Sequence, residues 1–502
     1  MNPKKISVFI ILVLMALLLT TFLSSAKSEK QQEDTISFLG LTIKYPTIYT
    51  FLGEKQKRVN TKALDSIVKS VKAVAEEPEE TVNTITKVED SIPTKEIPDY
   101  SKVDTTRLTR LVYPNKTRFL QKLITQLESD NCRILHYGDS QLEGDRISGY
   151  LRNRFQKVYG GGGPGFIPIK QVYDQISAKV GCSDNWLRYA AFDPHQEKLA
   201  SKKYGVYMSV SRFTPYHAPK DSVHLDSSKL ITAFISIGIS NKTYANTRRF
   251  KKIQLHYGNA KQPVAIVVYN DGNVLRKDSL IADSNYHAYT INLKQTPTNL
   301  KIELQSKESP DFYGLTLDEN AGISLDNIAM RGASGTIFVS QNKNNFKAMA
   351  ANLQPKVVLL QYGGNTVPYL KDSTEVANYA KYLHYNINWI KKSIPQATYL
   401  FIGPTDMTTT INGNKVTYPL LPYLDSQLQQ MCLKNNIAYW SMYHAMGGEN
   451  SMPYWVEQQL AGEDYTHFTP KGSHIISELF FTALYLDIQE VKSHQKLVTS
   501  NE

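Results

Sequence analysis

The chain has 502 residues, of which 41% are hydrophobic, and a formal net charge of +11 at pH 7. This length exceeds what one hydrophobic core usually supports, and the apolar content is that of a folded protein, so we expect two domains with additional segments. The positive charge suits an anionic surface such as a cell-wall polymer or a membrane, whereas nucleic acid is disfavoured because the sequence contains no helix-turn-helix, zinc or RNA-binding signature.

The first 26 residues predict export. Lys4 and Lys5 precede an almost unbroken apolar run over residues 6–23, and small residues follow up to Ala26. This pattern predicts either a signal peptide or a membrane anchor over residues 1–26, with the rest of the chain in the periplasm or cell envelope. Cleavage after Ala26 stays open. Residues 27–104 are interpreted as a membrane-proximal segment and linker, with a short helix over residues 63–75.

Short apolar strands alternate with amphipathic helices in two parts of the chain, residues 105–175 and 319–490. The predicted strands are 132–137, 323–330, 357–361, 398–402 and 437–440, and the predicted helices include 118–128, 147–158, 376–394 and one after Pro470. This alternation predicts an α/β domain with a parallel sheet covered on both faces. Active sites on such sheets lie at the carboxyl ends of the strands.

Residues 176–318 break this pattern and predict an inserted all-β domain. Five short strand-like runs are separated by turn signals such as Asn270-Asp271-Gly272. The spacing is typical of a jelly roll or another β-sandwich. Residues 491–502 form a C-terminal tail.

Gly138-Asp139-Ser140 is the most informative motif, because it lies between a predicted strand and a predicted helix. A serine on such a turn exposes its hydroxyl at the carboxyl edge of the sheet, and the N–H groups of the helix start favour developing negative charge there. Far downstream, Asp464 and His467 share one turn. A serine with a histidine–aspartate pair predicts nucleophilic catalysis of acyl transfer.

Two loops between these motifs predict an oxyanion hole. Gly335 follows one predicted strand and Asn365 follows the next. The backbone N–H groups of Ser140 and Gly335, together with the Asn365 side-chain amide, are the candidate donors. Gly332 is a lesser candidate.

Several other residues receive weaker assignments. Asp406 and the loop glycines Gly163 and Gly165 are possible substrate-binding residues, with structural turns as the alternative. Glu143 and Asp145 are interpreted as helix-capping residues rather than an acid/base pair. No Cys/His cluster has metal-ligand spacing, so we predict neither a metal nor another cofactor.

Three cysteines, Cys132, Cys182 and Cys432, permit at most one internal disulfide. In an exported protein an odd count leaves one thiol free or paired with another chain. Burial of Cys132 and Cys432 as small core residues is the favoured interpretation.

The motifs together resemble the SGNH (GDSL-type) hydrolase superfamily. The matches are Gly138-Asp139-Ser140, Gly335, Gly363-Gly364-Asn365 and Asp464-x-x-His467. More narrowly, Gly-Asp-Ser-Gln-x-x-Gly-Asp and the glycine run 160–165 resemble the bacterial peptidoglycan O-acetylesterase branch. Gln141 and Thr366 depart from the superfamily pattern. The resemblance implies a flavodoxin-like, three-layer α/β/α sandwich interrupted by a carbohydrate-binding-like β domain. For this domain it implies glycan binding, with Trp186 or surface tyrosines as stacking platforms, and a structural cover of the active site stays open as the alternative.

The resemblance also implies a function. The expected activity is that of an exported serine esterase that removes O-acetyl groups from a cell-envelope polysaccharide, with peptidoglycan as the favoured substrate. Three alternatives stay open: an O-acetyltransferase with the same triad, an esterase acting on other acetylated glycans, and a non-enzymatic envelope scaffold that binds glycan.

Overall fold

The computed structural model describes residues 3–25, 35–38, 41–44, 61–72, 74–75, 95–173, 175–216 and 229–499. Its first elements are α1 (Pro3–Ser25), β1 (Thr35–Phe38), β2 (Leu41–Lys44) and α2 (Thr61–Lys72). Within these ranges, no helix is both long and apolar enough to cross a lipid bilayer. Ala26, the residue after which cleavage stays open, lies outside the described residues, and the signal peptide or anchor stays a prediction.

Helix α2 is packed against the α/β domain, although it lies in the predicted linker. Leu64, Ile67 and Val71 recur at helical spacing and are buried in the core of that domain. The Tyr454 hydroxyl donates a hydrogen bond to Asp65 on the exposed side of the same helix. Part of the predicted linker therefore packs as a helix on the α/β domain.

The first half of the α/β domain leads directly into the insertion. It contains α3 (Lys116–Leu127), β3 (Asn131–Gly138), α4 (Arg146–Tyr159) and β4 (Gly165–Ile167). Helix α3 begins after Asn115, whose side chain accepts the Arg118 N–H at 3.0 Å. Helix α4 ends at Gly160, where the positive φ of 88° suits glycine.

The insertion consists of two antiparallel sheets packed face to face. Its strands are β5 (Lys179–Cys182), β6 (Leu187–Ala190), β7 (Ser209–Arg212), β8 (Ile231–Gly238), β9 (Lys252–Gly258), β10 (Val264–Asn270), β11 (Asn273–Leu280), β12 (Tyr286–Asn292), β13 (Asn299–Ser306) and β14 (Asp311–Asp318). One sheet has the order β11-β10-β13-β8-β5, and the other has the order β12-β9-β14-β7-β6, with β4 also paired to β14. Apolar side chains of both sheets share one core. The predicted β-sandwich is confirmed, and its exact boundaries stay a prediction.

The second half of the α/β domain completes the parallel sheet. Its elements are β15 (Gly322–Ala329), α5 (Lys343–Leu353), β16 (Pro355–Gln361), α6 (Ser373–Ser393), β17 (Thr398–Ile402), β18 (Thr408–Ile411), β19 (Asn414–Thr417), α7 (Leu421–Lys434), β20 (Ala438–Trp440), α8 (Met442–Ala445), α9 (Met452–Glu457) and α10 (Pro470–Thr499). The sheet order is β15-β3-β16-β17-β20, and every pairing is parallel.

Helices cover both faces of this sheet. Along β16, Val357 and Leu359 pack with residues of α3, α4 and α10, whereas Val358 and Leu360 pack with residues of α5, α6 and α7. Alternate side chains of a strand point to opposite faces, so each face has its own apolar core. The predicted three-layer α/β/α fold with an all-β insertion is confirmed.

The insertion is fixed to the α/β domain by buried contacts. The Tyr137 hydroxyl on β3 donates to the Val206 carbonyl at 2.9 Å, and the Tyr207 hydroxyl donates to Asp326 on β15 at 3.1 Å. Trp186 is only 1% exposed and its Nε1 donates to the Phe234 carbonyl at 3.1 Å. The interpretation of Trp186 as a stacking platform is therefore wrong, because its ring fills the core of the insertion.

The three cysteines are all free thiols in the structure. Cys132 on β3 and Cys432 on α7 are buried among apolar side chains, as the sequence favours. Burial raises the pKa of the Cys132 thiol to about 12, so this thiol stays protonated at neutral pH.

Candidate active site

Ser140, His467 and Asp464 form a continuous hydrogen-bonded chain at the carboxyl edge of the parallel sheet. Ser140 Oγ lies 2.8 Å from His467 Nε2, and His467 Nδ1 lies 2.7 Å from Asp464 Oδ2. The serine and the aspartate thus contact opposite nitrogens of one imidazole ring. This arrangement lets the ring accept the serine proton while the carboxylate holds it in place.

The turn that carries His467 also holds Asp464 in position. The backbone N–H groups of Thr466 and His467 both donate to Asp464 Oδ1 at 3.0 Å. Partial burial raises the pKa of Asp464, but the hydrogen bonds from the backbone and ring of His467 outweigh this effect and lower it overall. The carboxylate is therefore ionised at neutral pH and stabilises an imidazolium at His467.

The nucleophile turn is tied to the histidine turn by Gln141 and Arg146. Gln141 Nε2 donates to the Thr466 carbonyl at 2.7 Å. The Arg146 guanidinium donates to the carbonyls of Phe468, at 2.8 Å, and Ser140, at 3.1 Å. Both residues therefore set the separation of Ser140 and His467. The sequence shows Gln141 only as a departure from the motif and gives no signal for Arg146, because their partners on the histidine turn lie more than 300 residues away.

A cavity of about 230 Å³ lies at this triad. Ser140, His467, Gly332 and Asn365 are among the residues that line it. Within the described residues, the backbone N–H groups of Ser140 and Gly332 have no hydrogen-bond acceptor. The Asn365 amide donates one hydrogen to the Ala333 carbonyl, with Nδ2 and O 3.1 Å apart, and keeps its second hydrogen for a ligand.

Gly335, a predicted oxyanion donor, does not line this cavity. Its φ is +79°, and a Cβ at this position would lie 2.8 Å from atoms of both Leu383 and Tyr362. Gly335 is therefore packed against α6 and an aromatic ring. Gly332, three residues earlier, is the glycine of this loop that lines the cavity, so it joins Ser140 and Asn365 as a candidate donor, and the role of the Gly335 N–H stays a prediction.

Replacing Asn365 with alanine should lower kcat by on the order of 10²–10³-fold, because one oxyanion donor is lost while the triad is untouched. Steady-state hydrolysis of an aryl acetate measures this effect. Asn388→Ala, on α6 and outside the cavity, is the matched control and should retain wild-type activity. If Asn365→Ala lost less than about tenfold, Asn365 would not belong to the donor set.

Asp406, a predicted substrate contact, is fully buried beside the cavity rather than in it. Its carboxyl oxygens accept hydrogen bonds from the Thr417 hydroxyl at 2.7 Å and the Met452 N–H at 2.7 Å. Asp406 therefore fixes the loops around β19 and α9. Its neighbours Thr405 and Met407 line the cavity instead.

Burial raises the pKa of Asp406 from 3.8 to about 6. The folded state thus keeps a proton at pH values where the unfolded chain has lost it, so this residue contributes less stability as the pH rises. Relative to an Asp406→Asn variant, the wild-type free energy of unfolding should fall by about 2–3 kcal/mol between about pH 4 and pH 7. Urea unfolding of both proteins across this range measures it. If the difference in free energy of unfolding between the two proteins did not change with pH, the raised pKa of Asp406 would be contradicted.

Gly163 and Gly165, also predicted to contact substrate, lie against strands. A Cβ on Gly163 would lie 2.2 Å from the Leu317 carbonyl oxygen, and one on Gly165 would lie 2.5 Å from that of Leu325. Neither glycine lines the catalytic cavity. The glycine run is therefore needed for close backbone packing against β14 and β15, and its predicted substrate role does not fit the structure.

Glu143 and Asp145 make ion pairs rather than helix caps. Asp145 precedes α4 but makes no side-chain capping bond, and it accepts hydrogen bonds from the buried Arg152 guanidinium at 2.5 and 3.0 Å. Glu143 accepts two hydrogen bonds of 2.7 Å from Arg331. The capping interpretation is wrong for both, because each carboxylate has a better partner elsewhere in the chain.

No family model and no curated protein sequence matches this chain. Its structure is similar to that of a solved peptidoglycan O-acetylesterase, with a TM-score of 0.57, 20% sequence identity, and coverage of 76% of this chain and 99% of that one. At this identity the likeness shows a shared fold. The resemblance to this esterase fold that the motifs predict is confirmed.

Two further solved structures match much more weakly. A family two carbohydrate esterase from Clostridium thermocellum in complex with cellohexaose has a TM-score of 0.24 and 11% identity, and covers 50% of this chain and 90% of its own. A family two carbohydrate esterase from Cellvibrio japonicus has a TM-score of 0.23 and 10% identity, and covers 62% and 99%. These scores are too low to support an argument about this chain.

Proposed function

We propose that this protein is an exported serine esterase that removes O-acetyl groups from a cell-envelope polysaccharide, and that peptidoglycan is its substrate. The observation that carries the proposal is the Ser140–His467–Asp464 chain at the rim of a cavity with two free backbone N–H groups. The basic, apolar N-terminal sequence supports export, and the formal charge of +11 suits an anionic wall polymer.

The geometry supports a two-step acyl transfer. His467 Nε2 takes the proton of Ser140 as Oγ bonds to the acetyl carbonyl carbon, and Asp464 stabilises the resulting imidazolium. The Ser140 and Gly332 N–H groups and the Asn365 amide stabilise the oxyanion. Collapse of this intermediate breaks the bond to the sugar oxygen, which leaves with the proton from His467.

Hydrolysis of the acetyl-enzyme repeats these steps with water. His467 takes a proton from water as the oxygen adds to the acetyl carbon, and acetate leaves as the proton returns to Ser140 Oγ. A sugar hydroxyl in the place of water would make the protein an O-acetyltransferase. The same triad can transfer the acetyl group to water or to a sugar hydroxyl, so the reaction products distinguish an esterase from a transferase.

The test is acetate release by residues 27–502 from O-acetylated peptidoglycan, acetylated xylan and an aryl acetate, beside a Ser140→Ala control. We expect serine-dependent release that is fastest from peptidoglycan. Faster acetate release from xylan than from peptidoglycan would indicate that the substrate is another acetylated glycan. Acetylated oligosaccharide in place of acetate would establish the transferase, and binding of glycan without any turnover would establish a scaffold.

A further inference from the structure

A second cavity of about 450 Å³ lies between the α/β domain and the β insertion. Its lining includes Glu143, Tyr173, Arg188, Phe192 and Arg331. Gly332 lines both this cavity and the catalytic cavity. The two cavities therefore meet at Gly332, and we call the second one the interdomain groove.

Most charged groups of the interdomain groove already have partners. Glu143 pairs with Arg331, whose guanidinium lies 4.4 Å from the centre of the Tyr173 ring. The Asp193 carboxylate accepts the backbone N–H of His195 at 2.9 Å. The ion pair offsets the charges of Glu143 and Arg331, whereas the hydrogen bond from His195 leaves the Asp193 carboxylate charged.

Arg188 is the exception. It lies on β6 with its guanidinium 5.6 Å from the centre of the Phe192 ring, and its Nε is buried without a hydrogen-bond partner. In the part of the chain that the structure describes, no carboxylate lies within ion-pair distance of Arg188, and the Asp193 and Glu143 carboxylates act on its charge from farther away. Burial lowers the pKa of Arg188, yet arginine keeps its charge in proteins. The Nε–H donor of Arg188 is buried without an acceptor, and leaving such a donor unsatisfied costs free energy, which indicates that a ligand completes its environment.

We propose that Arg188 binds a carboxylate of the substrate, carried by the glycan or its attached peptide, while an acetyl group of the same molecule occupies the catalytic cavity. The inference rests on the proposed function. The planar guanidinium matches a carboxylate with two parallel hydrogen bonds. Glu143 and Asp193 face the same groove, so a singly charged carboxylate suits it better than a doubly charged phosphate.

The test compares Arg188→Met with wild type on O-acetylated muropeptides that carry free or methyl-esterified carboxylates. We expect Arg188→Met to lower kcat/KM for the free acid by about 10- to 100-fold, the loss of a charge-assisted pair. Its activity on the methyl ester and on an aryl acetate should match wild type. Arg188→Lys should retain part of the activity on the free acid, because lysine keeps the positive charge but not the planar geometry of the guanidinium.

The matched control is Arg276→Met, because Arg276 is an exposed arginine on β11 that pairs with Asp278. Arg276→Met should leave kcat/KM unchanged on every substrate. An equal loss on the free acid and the methyl ester, or no loss on either, would overturn the role of Arg188. Muropeptides from which the peptide has been removed show whether the carboxylate belongs to the sugar or to the peptide. If Arg188→Met still loses activity on these substrates in the free-acid form, the carboxylate belongs to the sugar.

A binding measurement keeps this inference distinct from the proposed function. Calorimetry with Ser140→Ala and a deacetylated, carboxylate-bearing muropeptide needs no turnover. Binding that is about 10- to 100-fold weaker after a further Arg188→Met change supports the subsite even if no esterase activity is found. Unchanged affinity would exclude it even if the esterase is active.

Discussion

A Ser140→Ala variant is expected to lose on the order of 10⁵–10⁶-fold in kcat for an aryl acetate, the loss found when a triad nucleophile is removed. Ser140 Oγ is the atom that lies 2.8 Å from the ring nitrogen of His467, and the cavity opens at this atom. Stopped-flow or steady-state release of the aryl alcohol measures the effect.

The chain contains a matched control in a second serine–histidine–aspartate cluster. Ser441 Oγ lies 2.7 Å from His444 Nδ1 and donates to Asp425 at 2.8 Å. Here the serine and the carboxylate both lie near the same ring nitrogen, so the histidine cannot relay a proton between them. Ser441→Ala should retain activity. If Ser140→Ala kept its activity and Ser441→Ala lost it, Ser441 rather than Ser140 would be the nucleophile.

An Asp464→Asn variant is expected to lose about 10⁴-fold in kcat. The asparagine carbonyl can still accept the N–H groups of Thr466 and His467, so the turn should keep its shape. Its amide nitrogen would face His467 Nδ1 as a donor and favour the wrong ring tautomer. Because the Asp464 side chain is 53% exposed, the change should cost little stability.

Steady-state kinetics on an aryl acetate, together with thermal unfolding, measure this prediction. A 10⁴-fold loss with an unchanged unfolding midpoint is the expected pair of results. A variant that kept kcat within about tenfold of wild type would show that Asp464 does not orient His467.

Local patterns were sufficient to predict most of the fold. Strands such as β3 and β16 are apolar runs bounded by polar turns, and the insertion alternates short strands with turn residues. Asp271 and Gly272 have φ values of 48° and 82°, and they form the tight hairpin between β10 and β11 that their sequence predicts. The triad was predictable because each member lies in a short motif at the carboxyl edge of the sheet.

The remaining features depend on contacts between distant parts of the chain. Gly332 and Gly335 lie in one short loop, and their sequence does not show that Gly332 lines the cavity while Gly335 packs against Tyr362 and Leu383. Asp406 follows a strand on the active face, but its partners Thr417 and Met452 lie at the end of β19 and the start of α9. The link between Gln141 and Thr466 spans 325 residues, so no local pattern reveals it.

The most direct test of the account is to label the protein with a fluorophosphonate probe, which reacts with activated serines, and to locate the label by peptide mass spectrometry. We predict that Ser140 alone is labelled, that acetate release falls in proportion to labelling, and that His467→Ala abolishes the reaction. Full esterase activity in protein that is completely labelled at Ser140, or labelling of another serine with loss of activity, would contradict the assignment of Ser140 as the nucleophile.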